Sequence, residues 1–182
     1  MTLRRRIASS LLAALALCAV VAGISACGYE SHETEVVEGE PVKLGDVAYN
    51  VVFSRYLNRN DTEDSAYLVG QPPPPPGSAY FGVFFQVENE ADTPQPLSEA
   101  LTIRDADHQE FESLPSESLY ALHLGTEIDA EDVLPALDST PQQGPIEGSL
   151  VLFLLPDYVS ENRPLILEIP GEDENAEVTL DL

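Results

Sequence analysis

Two kinds of hydrophobic pattern divide the chain. Residues 7–24 form an apolar run rich in Leu and Ala, and three consecutive arginines, Arg4 to Arg6, precede it. From Pro41 onward, hydrophobic and polar residues mostly alternate with period two, which is typical of strands that bury one face. The pattern therefore predicts an N-terminal export signal followed by a domain built from strands.

The alternation also predicts which side chains share a face of a strand. The residues predicted to share a face are Val47, Tyr49, Val51 and Phe53 in "GDVAYNVVFSRYL", Phe81, Val83, Phe85 and Val87 in "AYFGVFFQVENE", Leu165, Leu167 and Ile169 in "RPLILEIPG", and Val178, Leu180 and Leu182 in "AEVTLDL". The stretch "SLVLFLLP" is apolar on both faces, which indicates a strand covered on both sides.

The segments between these strands are rich in Pro, Gly, Asn and Asp, as in sandwich proteins with many turns. The loop "RNDTEDSAYLVGQPPPPPGSA" contains five consecutive prolines, Pro72 to Pro76, for which polyproline II geometry is expected. Pro135 makes a long helix in "LYALHLGTEIDAEDVLPALDSTPQQGP" unfavourable. The fold class predicted for residues 41–182 is an all-β sandwich, long enough to bury a core without disulfides.

The residues that end the apolar run resemble a bacterial lipoprotein signal, which reads aliphatic, small, small, Cys. Those places are taken by Ile24, Ser25, Ala26 and Cys27. The resemblance implies that residues 1–26 are removed and that Cys27 carries a thioether-linked diacylglycerol that anchors the chain to the membrane. The alternative is an uncleaved membrane helix, since about 20 apolar residues span a bilayer. Both place the remaining chain on the extracytoplasmic face of the cell membrane, because arginines stay cytoplasmic.

Charge is distributed unevenly along the chain. The 182 residues include 32 acidic and 8 basic side chains, and three of the basic ones precede the apolar run. Such an acidic domain is repelled by nucleic acid and by anionic surfaces, so no nucleic-acid partner is expected and a partner surface should be neutral or basic. Residues 27–40 are polar and charged, and they are predicted to form a short flexible tether.

Four segments resemble a known family. These are "KLGDVAYNV", "FQVENEADTPQPL", "LTIRDADHQEF" and "GPIEGSLVLFLLP". They are similar to successive blocks of a secreted, immunoglobulin-like domain family of Gram-positive bacteria, which has no assigned function and usually follows a lipoprotein signal. The resemblance implies an immunoglobulin-like β-sandwich over residues 43–182.

The resemblance also implies local features. Asn89 would lie at a turn, "IRDADHQEF" would form a hairpin, and Gly144 and Gly148 would precede the last fully apolar strand. The family usually has Gly near the position of His108, and this chain does not. That departure affects the turn type, because His adopts the left-handed region much less readily than Gly.

The chain lacks the sequence motifs of the common enzymes. It has no G-x-S-x-G, H-E-x-x-H, P-loop or G-x-G-x-x-G motif, so no catalytic residue, cofactor or enzymatic activity is expected. His32, His108 and His123 are isolated in sequence. The only Met is Met1, which argues against a copper carrier, since Cu(I) prefers thioether ligands.

Three acidic segments suggest a cation-binding alternative. "NDTEDS", "EIDAED" and "GEDENAE" gather the oxygen ligands that calcium prefers, although none has the D-x-[DN]-x-[DN]-G loop. The sequence therefore predicts a membrane-anchored extracytoplasmic lipoprotein that acts as a binding or scaffolding module, with an envelope protein as partner. Loops at one end of the sandwich are the expected contact surface. The alternative is a calcium-dependent or envelope-assembly accessory factor.

Overall fold

The structure, a computed structural model, describes residues 33–181. The predicted signal peptide and Cys27 lie outside the described residues. Within the described range the chain forms one short helix, α1 (Thr62–Tyr67), one 3₁₀ turn (Asp157–Glu161), and the strands β1 (Glu33–Val37), β2 (Pro41–Leu44), β3 (Val47–Leu57), β4 (Ser78–Asn89), β5 (Gln95–Pro96), β6 (Thr102–Arg104), β7 (Glu110–Glu112), β8 (Glu127–Ile128), β9 (Val133–Leu134), β10 (Ser149–Pro156), β11 (Leu165–Pro170) and β12 (Asn175–Leu180).

Two sheets form the body of the molecule. The first has the order β1-β12-β11-β6-β7, and the second has the order β10-β4-β3-β2 with β9 added beside β4. A separate pair, β5 and β8, lies outside both sheets. Side chains from both sheets, such as Val51 and Phe85 from the second and Leu167 and Val178 from the first, share one buried core. The predicted all-β sandwich is confirmed.

Strand β4 is buried on both faces from Tyr80 to Phe85. Its inner residues, including Phe81 and Phe85, lie in the core between the sheets. Its outer residues Tyr80 and Phe84 pack in a second apolar cluster, which Leu150 and Leu152 of β10 also enter. On the other face of β10, Val151 and Phe153 enter the core between the sheets. The two-faced apolar pattern of "SLVLFLLP" is therefore confirmed, and it reflects a second layer of side chains outside the sheet.

Helix α1 supplies part of that outer layer, and the sequence pattern did not reveal it. Asp61 caps the helix by accepting hydrogen bonds from the backbone N–H groups of Glu63 and Asp64. Asp64 is buried, forms an ion pair with Arg55 of β3 and accepts a 2.6 Å hydrogen bond from the Asn58 N–H. The helix is too short for a 3.6-residue periodicity to show, so its capping and ion-pair contacts hold it.

Tyr67 at the end of α1 is fully buried, with its ring edge-on to Phe84 at 5.1 Å. Its hydroxyl has no hydrogen-bond partner among the described residues. Burial, reinforced by the nearby charge of Glu63, raises the pKa of Tyr67 to about 12. Burial also raises the pKa of Tyr56, whose hydroxyl likewise lacks a partner in the described part of the chain.

The prediction that Phe53 shares a face of β3 with Val51 is wrong. The register against β4 shifts between Val51 and Phe53, so Val51 pairs with Phe85 and Phe53 pairs with Phe84. This β-bulge inserts one extra residue and reverses the facing of every residue after it. Phe53 therefore lies on the outer face and is 43% exposed, whereas Ser54 points inward.

The predicted tether of residues 27–40 also needs correction in its second half. Glu33–Val37 forms strand β1, which pairs in parallel with β12, and Val36 packs against the core. The carboxylate of Glu38 accepts hydrogen bonds from the N–H and the hydroxyl of Ser54 at 3.0 and 2.6 Å. The sandwich thus includes Glu33–Val37, because Thr34 and Val36 beside an open strand edge outweigh the high charge of this segment.

The predicted hairpin at "IRDADHQEF" is present as β6 and β7. His108 occupies its turn with a φ of 61°, in the left-handed region that glycine adopts most readily. The buried Asp105 holds the turn, since its carboxylate accepts hydrogen bonds from the N–H groups of Asp107 and Gln109, both at 2.9 Å. These bonds fix the left-handed residue without a glycine.

Among residues 33–181, no helix has the length and apolar character needed to cross a membrane.

Candidate functional site

An open cleft lies at one end of the sandwich. Three segments enclose it: the turn between β2 and β3, residues 95–99, and the turn between β11 and β12. Its volume is about 620 Å³, within the range of small-molecule and peptide pockets. The buried side chains of Leu44, Tyr49 and Leu97 form an apolar floor.

Ser98 fixes one wall of this cleft. Its N–H donates a 3.2 Å hydrogen bond to the Tyr49 hydroxyl, and its own hydroxyl donates to the carbonyl oxygen of Pro170 at 2.5 Å. The 95–99 segment is therefore tied both to the core of β3 and to the end of β11. The cleft is preformed, since these bonds join two of its three walls.

The opposite wall depends on a tight turn. The Gly171 N–H donates to the Glu174 carbonyl at 3.0 Å, which closes the turn between β11 and β12. A Cβ on Gly171 would lie 2.6 Å from that same carbonyl oxygen. Only glycine permits this close approach, so the acidic residues 172–174 are held at the rim.

Asn89, at the end of β4, positions the chain that leads into the cleft. Its buried side-chain amide donates to the carbonyl oxygens of Thr93, Ile128 and Asp129 at 2.9, 3.2 and 2.9 Å. Its side-chain oxygen accepts from the Ala91 N–H. Asn89 is the last residue of β4, so the turn predicted here begins after it, and its side chain joins that turn to the segment after β8.

The rim of the cleft is strongly negative. Its acidic residues are Asp46, Glu99, Glu172, Asp173 and Glu174, and the lining contains no Lys, Arg or His. None of these five carboxylates has a hydrogen bond or ion pair with another residue of the described part of the chain. Uncompensated carboxylates around an apolar floor make the cleft a favourable environment for a cation with a hydrophobic stem.

The three acidic segments expected to attract calcium have different surroundings. In "NDTEDS" the carboxylates of Asp61 and Asp64 are already used, as a helix cap and a buried ion pair. In "EIDAED" Asp132 accepts a hydrogen bond from the Val133 N–H. Part of "GEDENAE" forms the cleft rim. Nowhere between Glu33 and Asp181 do three or more His, Cys, Asp or Glu side chains converge as metal ligands.

The histidines lie apart from the cleft. His123 lines a second depression of about 420 Å³, between residues 113–116 and 122–126. His108 lies 3.3 Å from the guanidinium of Arg104 in the β6–β7 hairpin, and His32 lies outside the described residues. The acidic segment "GEDENAE" is recognisable in the sequence, but Ser98 and Gly171 are not, because a hydroxyl bridge and a close backbone approach leave no motif.

Comparisons with known proteins support the fold alone. No family model and no curated protein matches the chain. Among solved structures, it is similar to an uncharacterized β-sandwich protein from Clostridium difficile, with 15% identity, a TM-score of 0.51 and coverage of 82% of this chain and 95% of the other. It is also similar to the yjhA protein from Bacillus subtilis, with 14% identity, a TM-score of 0.56 and coverage of 80% and 99%.

A third structure is that of ycdA, a candidate lipoprotein from Bacillus subtilis. It shares 12% identity and a TM-score of 0.46, over 79% of this chain and 38% of the other. The first two structures establish the β-sandwich fold. The lipoprotein family that the sequence resembles stays a prediction, since no family model matches.

Proposed function

We propose that the chain is a lipoprotein held by Cys27 at the extracytoplasmic face of the cell membrane, where its sandwich acts as a binding or scaffolding module. The anchor is supported by the order Ile24, Ser25, Ala26, Cys27 after an apolar run and three arginines. The binding role is supported by one observation above all, the preformed 620 Å³ cleft with its five unpartnered carboxylates. Loops on a rigid β scaffold commonly carry binding sites.

The anchor is tested in the cells that make the protein. Cultures expressing the parent chain, Cys27→Ser or Cys18→Ser are fed an alkyne fatty acid, and the labelled protein is analysed by mass spectrometry. The parent and Cys18→Ser should carry the label on an N-terminus that begins at Cys27, and Cys27→Ser should not. Cys18→Ser is the matched control, since it removes the other cysteine of the apolar run. A membrane-bound parent that retains residues 1–26 would establish the uncleaved helix instead.

The binding role is tested by position-specific photo-cross-linking. A photoreactive residue replaces Gln95, which lines the cleft, or Glu110, which is exposed at the other end of the sandwich. The Gln95 position should capture one dominant envelope protein that the Glu110 position does not. Equal capture at both positions, or none, would exclude a cleft-directed binding module.

A further inference from the structure

The first strand enters the sandwich beside the cleft. Glu33, at the start of β1, pairs with Asn175, at the start of β12. The turn that immediately precedes Asn175, residues 171–174, forms the acidic rim. Because β1 and β12 run parallel, both lead away from the cleft. The chain therefore reaches the sandwich at the end that carries the cleft.

The distance from the lipid attachment site to this end is short. Glu33 lies six positions after Cys27, and a fully extended chain between them spans at most about 22 Å. Strand β4 has 12 residues, so the sandwich extends about 40 Å along its strands. A lipid on Cys27 thus keeps the cleft end near the bilayer surface, and the β6–β7 turn points to the far end. This step rests on the proposed lipoprotein anchor.

The chemistry of the rim restricts what can bind there. Anionic lipid head groups and five unpartnered carboxylates repel each other, so the lipid surface itself is a poor ligand. A positively charged ligand is attracted by the same carboxylates. The floor of Leu44, Tyr49 and Leu97 suits the methylene stems of Lys and Arg, which bury their stems and keep their charges at the rim.

From these observations we infer that the cleft binds an extended, lysine- or arginine-bearing segment of a membrane protein, exposed at the bilayer surface beside the anchor. The negative rim favours a basic segment as the ligand. The short connection between Cys27 and Glu33 favours a ligand at the membrane surface. A freely diffusing cation would gain nothing from a cleft held near the bilayer, whereas a segment of a membrane protein is confined to the same plane. Confinement raises its effective concentration at the cleft.

The test uses the lipidated chain in phosphatidylcholine nanodiscs, whose zwitterionic surface does not attract a basic probe. The probe is a fluorescent, N-acetylated peptide of alternating Lys and Leu, and its control has Gln in place of Lys. The cleft variant combines Glu172→Gln, Asp173→Asn and Glu174→Gln. The matched control combines Glu110→Gln, Asp157→Asn and Glu161→Gln, which removes the same charge from exposed positions at the far end.

Fluorescence anisotropy should show that the parent binds the Lys peptide and not the Gln peptide. The cleft variant should weaken binding by roughly tenfold or more, and the control variant by less than about threefold. Equal losses in the two variants would show that the probe senses net charge only, and absence of binding would overturn the inference directly. Fatty-acid labelling of Cys27 reports the anchor separately. If the anchor fails while the cleft variant alone loses the peptide, the basic ligand stands and the membrane placement falls.

Discussion

Tyr67 combines complete burial with a hydroxyl that has no partner in the described part of the chain. A buried polar group without a hydrogen bond is costly, so Tyr67→Phe should raise the free energy of unfolding at pH 7 by about 1 kcal/mol. The rings of Phe84 and Tyr120, which meet Tyr67 edge-on, retain their contacts. Urea unfolding at pH 7 measures the change, and a less stable Tyr67→Phe would mean that the hydroxyl is paired in solution.

The same residue predicts a pH dependence. The pKa of Tyr67 rises from 10.0 to about 12 in the folded chain, so above pH 10 the unfolded state releases its proton first. The free energy of unfolding should therefore fall as the pH rises from 10 to 12. In Tyr67→Phe the free energy of unfolding should fall less steeply over this pH range. Part of the fall that remains comes from Tyr56, because burial also raises the pKa of that residue. Parallel curves for the two proteins would contradict the shift.

Asn89 contributes to the candidate site through the backbone that it holds. Asn89→Ala removes a donor to three carbonyl oxygens and leaves buried groups unpaired, which should lower the free energy of unfolding by about 1–3 kcal/mol. Asn60→Ala, at an exposed position, is the matched control and should change it by less than about 0.5 kcal/mol. Urea titrations of both variants measure the difference. Equal effects would show that the turn does not depend on the buried amide.

At the scale of elements, the bulge in β3 makes a sharp prediction about two phenylalanines. Phe85 is fully buried and Phe53 is 43% exposed. Phe85→Ala should lower the free energy of unfolding by about 3–5 kcal/mol, as for other core phenylalanines, whereas Phe53→Ala should lower it by about 1 kcal/mol or less. Chemical denaturation of the pair measures both values. If Phe53→Ala lowered the free energy of unfolding as much as Phe85→Ala does, Phe53 would be a core residue and the alternation in β3 would be uninterrupted, as the sequence suggested.

Strands were predictable from the sequence where a single periodicity runs through them. The inner faces of β4 and β11 follow from alternation, because burial on one side of a pleated strand imposes period two. Phe53 was not predictable, since a bulge depends on the pairing with β4 rather than on local residues. The acidic rim was visible as "GEDENAE", but its place beside residues 95–99 arises from contacts across the fold.

Strand β1 was not predictable from its own residues, because it depends on pairing with the distant strand β12. Its contribution to stability can be measured. A chain that begins at Pro41 lacks the parallel partner of β12 and exposes the edge that β1 covers. We expect its melting temperature to fall by several degrees relative to a chain that begins at Glu33, since a loss of 1 kcal/mol corresponds to about 2–4 °C in a domain of this size. Calorimetry of the two chains decides the boundary. Equal melting temperatures would show that residues 33–40 add no stability and belong to the tether.

At the scale of the whole molecule, the chain has 32 acidic and 8 basic residues, and this negative charge governs how cations change its stability. Sodium chloride should raise the melting temperature between 0.05 and 1 M, because screening reduces repulsion among the carboxylates. In the described part of the chain no three ligands converge on a metal site, so millimolar calcium and magnesium should produce equal rises at matched ionic strength. Scanning calorimetry with each chloride salt separates the two effects. A rise with calcium that magnesium does not reproduce would instead favour the calcium-dependent accessory factor, and the acidic rim would become its first candidate site.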